Sequence, residues 1–484
     1  MHLPLQRGSL DEHRTLGAHA VVLGAGMGGL LAARVLADHF ERITVVERDL
    51  LPDEARPRRG VPQASHVHLL LPRGGRLMED LFPGLLAELS EAGVPFSRDL
   101  GSVYFKVNGH TFFHSAEAEG ARRSVDQVAL CAPSRPFLES KVLRRFRSLP
   151  NVEVLDGWEV AGLMTDERLT RVTGARIASR DASAVQRGLP ADLVVVATGR
   201  SSRTSAWLRA MGYAPPPEEV LPIDLKYVTQ QVRFPEGSMG PVTALEVGPT
   251  PERPTGLGAC ARESGTWVVT MAGYAGHHPP MQREAWLEFG EQFLPREYAV
   301  ALRTAEPVGD LHQHRFSANI RRRFDKLDRF PQGLLATGDA LCSFNPIYGQ
   351  GMTVAGIEAL AMGAVLRQGE DDVAARFFKS VAKPIGEAWR FATGGDLAMP
   401  PEIVPGPRPL PFRAVNSYID RVMTAAEEDP VMAWRFFDVT GLDAPAAALF
   451  TPDSLRRVAT HGRPGRRTAS AVAGTRGGLG SDWP

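Results

Sequence analysis

Residues 21–30 read Val21-Val22-Leu23-Gly24-Ala25-Gly26-Met27-Gly28-Gly29-Leu30, and Glu47 follows 18 residues after Gly29, closing the apolar run Ile43-Thr44-Val45-Val46. A strand, a Gly-x-Gly-x-x-Gly turn, a helix and a second strand ending on an acid together form a dinucleotide-binding β-α-β unit. Gly24 permits the tight turn out of the first strand. Gly26 lets backbone approach a pyrophosphate, and Gly29 lets the helix pack close to the sheet. The helix start offers free N–H groups and a positive dipole end to phosphate. Glu47 can accept hydrogen bonds from ribose hydroxyls and disfavours a 2′-phosphate, which points to FAD or NAD rather than NADP.

A second constellation lies over 300 residues downstream. Ala336-Thr337-Gly338-Asp339-Ala340 is followed by Asn345-Pro346-Ile347-Tyr348-Gly349-Gln350-Gly351-Met352. A short strand ending in Gly-Asp sets a carboxylate at the carboxyl edge of an α/β sheet, where ligands of open α/β folds sit. Such an Asp can hold the hydroxyls of a ribityl chain. The Gly-Gln-Gly turn at a helix start offers backbone N–H groups to the negative charge that a reduced flavin carries at N1/O2. A plain β-turn-α connection capped by Asp would use the same residues, so the inference leans on the first motif.

The chain has 484 residues and balanced charge, with 55 Lys and Arg against 55 Asp and Glu, and its basic residues are nearly all Arg. This balance gives no support for nucleic acid or an anionic membrane as partner. Cys131, Cys260 and Cys342 are far apart and odd in number, which points to a reducing compartment. No apolar run is long enough to span a bilayer and no signal-peptide core precedes residue 17, so a cytoplasmic protein is expected. His66-Val67-His68 has no Cys or Asp partner at ligand spacing, and no metal site is expected.

Four segments together resemble the FAD-dependent monooxygenases of the para-hydroxybenzoate hydroxylase fold. They are Gly24–Gly29 with Glu47; Ser134-Arg135-Pro136-Phe137-Leu138-Glu139; Ala197-Thr198-Gly199-Arg200-Ser201-Ser202-Arg203; and Gly338-Asp339 with Pro346 to Gly351. A narrower match, Arg59-Gly60-Val61-Pro62-Gln63-Ala64-Ser65-His66-Val67-His68, is similar to the branch of bacterial polyether epoxidases and other polyketide-tailoring flavoproteins. The resemblance implies an α/β Rossmann-like FAD-binding domain with an inserted antiparallel-sheet substrate domain and C-terminal helices. It implies that Arg135 meets the ribityl or pyrophosphate region and Asp339 the ribityl chain. Met27, Arg48, Arg59, Gln63, Pro346, Gly349, Gly351 and Met352 are counted with the cofactor on the same ground.

On this reading residues 1–17 are a disordered arm, and the FAD-binding domain runs over 18–100, 125–205 and 325–399. A substrate-domain hairpin at 101–124, signalled by Asn108-Gly109 between strand-like runs, and a substrate domain at 206–324 interrupt it. Helices fill 400–460, and 461–484 is a disordered tail. His66 and His68 are the candidate catalytic pair beside the flavin, against the alternative that they pin a loop to a helix start. Tyr227, Trp267 and Tyr274 alternate with small and polar residues on strands and could line a substrate pocket, although half-buried sheet packing explains them almost as well.

The activity implied by the resemblance is epoxidation or hydroxylation of a hydrophobic polyketide or terpenoid through a flavin C4a-hydroperoxide. The usual Asp-Gly of the middle motif is here Thr198-Gly199-Arg200, which puts direct NAD(P)H use in question and points to a separate reductase. Three other readings stand beside it: an FAD-bound cyclase without net redox change, a flavin-dependent isoprenoid double-bond reductase, and a non-catalytic FAD-binding protein. A halogenase is disfavoured because no Trp-x-Trp occurs.

Overall fold

The structure, a computed structural model, describes residues 15–52, 54–97, 100–112, 130–181, 185–408 and 410–462. Most of the arm expected over 1–17, the far part of the 101–124 insertion and the tail beyond 462 lie outside the described residues.

A parallel five-stranded sheet forms the base of the molecule, in the spatial order Leu334–Ala336, Leu193–Val196, Gly17–Leu23, Phe40–Val46, Val152–Leu155. Its central strands are buried on both faces, which is why Val194-Val195-Val196 and Ala20-Val21-Val22-Leu23 are unbroken apolar runs rather than alternating ones. The helix Met27–Leu36 covers one face. A second helix, Arg135–Arg147, starts where Ser134 Oγ accepts the Phe137 N–H at 3.2 Å, with Pro136 in its first turn. The strands at Leu23, Val46, Val196 and Ala336 all end at one edge of the sheet.

An eight-stranded sheet is the second layer. Its order is Cys342–Ser343, Glu306–Arg322, Glu218–Arg233, Trp267–Gly273, Thr255–Ala261, Ala244–Val247, Val103–Val107, His110–Phe112. All neighbours are antiparallel except Ala244–Val247 with Val103–Val107. The Asn108-Gly109 hairpin forms as its sequence predicts, with both residues at positive φ (48° and 85°), the geometry of a type I′ turn. One face of this sheet packs against the helices Arg283–Glu291 and Arg296–Thr304, with Trp286 fully buried and donating through its indole N–H to Val228 O at 3.2 Å. The C-terminal helices Leu410–Glu428 and Pro430–Thr440 close over the hairpin end through Phe112, Met432 and Phe436.

The segment 206–324 holds more than the strands read from its sequence. Glu306–Arg322 is a 17-residue strand, and the two helices at 283–304 were not anticipated. The first half of that strand is an edge with mostly exposed side chains, such as Glu306, Asp310 and His312, so it lacks the apolar alternation by which a half-buried strand is recognised.

Candidate active site

Three distant stretches of chain meet at the carboxyl edge of the parallel sheet. A Cβ placed on Gly28 would lie 3.5 Å from Gly338 Cα and 3.8 Å from Ala355 Cβ, so the first glycine turn, the Gly-Asp turn and the Gly351–Leu366 helix converge on one point. Gly29 has no room for a side chain, since a Cβ there would overlap Gly24 O. Gly24 itself needs its φ of +109° and lies against Ala197 O. Gly26 is different. A Cβ on it would meet nothing within 4 Å, so the start of the Met27–Leu36 helix opens onto free space. The same holds at Gly351, the first residue of a 16-residue helix. Two helix N-termini with open space before them fit a ligand that is anionic at both a diphosphate and a ring.

Glu47 is buried at the strand end, where its Oε2 accepts the Ala25 N–H at 2.8 Å and its Oε1 the Asp49 N–H at 3.1 Å. Arg58, a residue passed over in the sequence, turns inward beside it. Its NH1 lies 3.1 Å from Glu47 Oε2, its NH2 donates to Ala25 O at 2.8 Å, and its Nε lies 3.3 Å from Glu139 Oε2. The two carboxylates raise the guanidinium pKa against the effect of burial. Arg48 and Arg59, which the sequence nominated, are exposed, as is Gln63. Nothing in the Pro/Arg-rich loop sequence distinguishes Arg58 from its neighbour; only the loop's path decides which one faces in.

Arg135 is buried, pairs through Nε with Glu139 Oε1 at 2.7 Å, and brings NH1 within 3.5 Å of His68 Nε2. Asp339 remains solvent-accessible although protein surrounds it, with Arg200, Arg135 and Arg322 near. Enclosure pushes its pKa up, and Arg200 and Arg135 draw it back. Arg322 reaches in from the eight-stranded sheet, donating to Asp339 O at 3.3 Å, Ala340 O at 3.2 Å and Arg200 O at 3.1 Å. It ties the Gly-Asp turn to the Thr198–Arg200 turn. Met27 and Met352 are buried behind the two helix starts, while Pro346 and Gly351 are exposed at the mouth of the second. Gln350 is fully buried and its amide N–H donates to Thr440 O at 2.7 Å, fastening this turn to the C-terminal helices.

His66 and His68 lie two residues apart and meet different partners. His68 looks to Arg135, whose NH1 lies 3.5 Å from its Nε2. Burial and the Arg135 and Arg262 charges hold its pKa well below the ordinary value. His66 faces the antiparallel sheet, with Nδ1 2.6 Å from Thr229 Oγ1 and its ring 5.8 Å from both Tyr227 and His314. Burial, with His314 and His312 nearby, lowers its pKa to about 3, so it is a neutral imidazole. Tyr227 and Tyr274 are close to one another, joined through the side chain of Asn345. Trp267 is at the opposite end of its strand, paired with Val232 and packed edge-on to Phe234 at 5.3 Å. The cysteines are buried and unpaired, and burial raises the Cys342 thiol well above its ordinary range, so it is no thiolate.

No helix among the described residues is long and apolar enough to cross a membrane. No protein-family model matches the chain. Among solved structures, the chain is similar to p-nitrophenol 4-monooxygenase PnpA from Pseudomonas putida DLL-E4, with a TM-score of 0.62 and 17% identity over 89% of this chain and 99% of that one. It is similar to the flavin-dependent brominase Bmp2, with a TM-score of 0.62 and 13% identity over 92% and 99% of the two chains. The Diels-Alderase PyrE3 of the pyrroindomycin pathway aligns with a TM-score of 0.57 and 15% identity over 87% and 80%. The fold is therefore the para-hydroxybenzoate hydroxylase fold anticipated from the four motifs. With 35% identity over 429 residues, covering 86% of this chain and 87% of the other, the chain belongs to the same family as Protein Rv3254 of Mycobacterium tuberculosis (strain ATCC 25618 / H37Rv).

Proposed function

We propose that the protein is an FAD-dependent monooxygenase that epoxidises or hydroxylates a hydrophobic polyketide or terpenoid intermediate. The observation that carries the cofactor assignment is the meeting of Gly28, Gly338 and Ala355 between two open helix starts, with Asp339 accessible beside them. FAD, when bound, supplies the activation of O₂ and the transfer of one oxygen atom. The protein's own groups do the rest. Backbone N–H groups at Gly26 and Met27 receive the diphosphate, and Glu47 with Arg58 holds the adenosine ribose. Arg135 and Asp339 orient the ribityl chain. The start of the Gly351–Leu366 helix offers N–H groups to negative charge on the flavin pyrimidine ring. The eight-stranded sheet, with His66 neutral and Tyr227 beside it, forms the substrate wall and excludes water.

Reducing equivalents come on this reading from a separate reductase. Thr198 stands where aromatic hydroxylases carry the Asp of Asp-Gly, and Arg200, just after Gly199, is engaged by the protein: it stacks 4.5 Å over Phe316 and donates to Ser343 and Ser317. The same feature favours a second reading, an FAD-bound cyclase that needs no reductant; the similarly folded PyrE3 is described as a Diels-Alderase.

One experiment separates them. FAD-loaded protein, in one arm reduced anaerobically and then mixed with O₂ and in the other left oxidised, is given a panel of polyene and terpenoid substrates, and the products are weighed by mass spectrometry. A substrate-dependent gain of one oxygen atom supports the monooxygenase. Products of unchanged mass formed with FAD left oxidised would replace it with the cyclase.

A further inference from the structure

Several buried polar groups outside the proposed cofactor contacts gather in one knot. Asp396, the last residue of the helix Val373–Asp396, is fully buried. Its Oδ1 accepts from Tyr274 Oη at 2.7 Å, Asn345 Nδ2 at 2.8 Å and Tyr348 Oη at 3.2 Å, and its Oδ2 accepts from Asn319 Nδ2 at 2.7 Å. Asn345 is equally buried. Its Oδ1 accepts from Tyr227 Oη at 3.0 Å and from the Ile347 N–H at 3.1 Å, while its own N–H donates to Asn319 Oδ1 at 2.6 Å. Gly395 is small for this reason, since a Cβ there would overlap the Tyr348 hydroxyl.

Among the described residues no cation pairs with Asp396. Burial raises its pKa, and the four donors, Tyr274 first, pull it down. A buried carboxylate without a counter-charge is a costly way to hold a fold together, and well-packed apolar side chains would commonly serve as well or better. What the knot does that apolar packing would not is fix direction. It joins two strands of the eight-stranded sheet, the residue after a third, the end of a helix and the 345–348 turn, and that turn leads straight into the helix start at Gly351.

The geometry points to Asp396 as a positioning residue for the flavin: through Asn345 and Tyr348 it sets the 345–351 turn, and with it the Gly351 N–H groups, against the substrate sheet. This rests on the FAD assignment above. The test uses FAD-loaded parent, Asp396→Asn, Tyr348→Phe and Tyr227→Phe proteins, and reads FAD affinity, the visible flavin spectrum and the two-electron reduction potential beside the melting temperature. Asp396→Asn is expected to weaken FAD binding at least tenfold, displace the flavin absorbance bands and shift the reduction potential, because the turn that sets the Gly351 N–H groups loses its anchor. Tyr348→Phe and Tyr227→Phe each remove one hydroxyl, and are expected to shift the spectrum and weaken binding several-fold with little change in melting temperature. If Asp396→Asn does not fold, these two decide. A purely structural knot would change melting temperature while leaving spectrum and potential at parent values, and that result overturns the proposal. Should the parent itself take up no FAD, the site assignment falls and this inference with it.

Discussion

Arg58 and Arg135 grip the same glutamate from opposite sides, Arg58 Nε at 3.3 Å from Glu139 Oε2 and Arg135 Nε at 2.7 Å from Glu139 Oε1. Because Arg58 also holds Glu47, the two groups proposed to meet the ribose and the ribityl chain, Glu47 and Arg135, belong to one alternating chain of buried charges. Breaking such a chain leaves a carboxylate buried without its partner, which costs about 3–5 kcal/mol. Arg58→Ala should therefore lower the melting temperature clearly and abolish FAD uptake. Arg58→Lys keeps the charge but cannot reach Glu47, Glu139 and the Ala25 carbonyl together. It should fold and bind FAD roughly tenfold more weakly, an effect of about 1.4 kcal/mol. Thermal melts and fluorescence titration with FAD check both.

Two glycines three residues apart should respond in opposite ways. Gly29→Ala forces a Cβ into Gly24 O and should destabilise the apo protein severely. Gly26→Ala meets only open space at an ordinary φ of −69° and should leave apo stability unchanged or slightly raised, by about 0.5 kcal/mol. It nevertheless puts a methyl group where the diphosphate approaches, so FAD affinity should fall by more than tenfold. An apo protein with a normal melting temperature and unimpaired FAD binding after Gly26→Ala would show that the open space is not the diphosphate site.

Glu358 carries a pH dependence. It is fully buried beneath the Gly-Asp turn, accepts from Thr337 Oγ1 at 2.7 Å and the Gly338 N–H at 2.6 Å, and has its second oxygen unpartnered among the described residues. Burial raises its pKa from 4.5 to about 7. The folded protein thus holds a proton that the unfolded chain releases between these values. The stabilisation is complete below about pH 4.5 and is lost as pH rises through about 7, on the order of 3 kcal/mol in all. Glu358→Gln mimics the protonated form and should flatten the fall, leaving the variant more stable than the parent at pH 8. Urea denaturation at pH 5, 6, 7 and 8 measures it; equal slopes for the two proteins would remove Glu358 as the source.

Much of the site was legible because its chemistry requires particular residue types at particular spacings. Gly24 and Gly29 had to be glycines, and a Gly-Asp after an apolar strand had to sit at the sheet edge. Arg58 escaped because either of two adjacent arginines satisfies the loop sequence, and side-chain direction in an irregular loop is set by tertiary contacts. Asp396, Asn319 and Arg322 escaped for a related reason: each acts across the fold, on partners between 17 and 122 residues away, and carries no local pattern. Trp267 shows the converse. Its place in an alternating strand suggested a pocket beside Tyr227 and Tyr274, yet alternation assigns a face of the sheet and not a position along it.

His66 supplies the remaining prediction. Its ring is neutral at all pH values above about 3, because burial disfavours the cation and His314 and His312 oppose it. A group with a folded pKa below its unfolded value of 6.5 gives stability that is present above pH 6.5 and lost as pH falls toward 3, since the unfolded chain takes up the proton first. Between pH 6.5 and 5 this one site should cost about 2 kcal/mol. His66→Gln keeps a polar group facing Thr229 and cannot be protonated, so its stability should change less than the parent's between pH 7.5 and 5. The pH–rate profile should show no limb from His66 between pH 5 and 8, whatever the substrate. A limb in that range that vanishes in His66→Gln would mean that the imidazole takes a proton during turnover, and would move it from the substrate wall into acid–base catalysis.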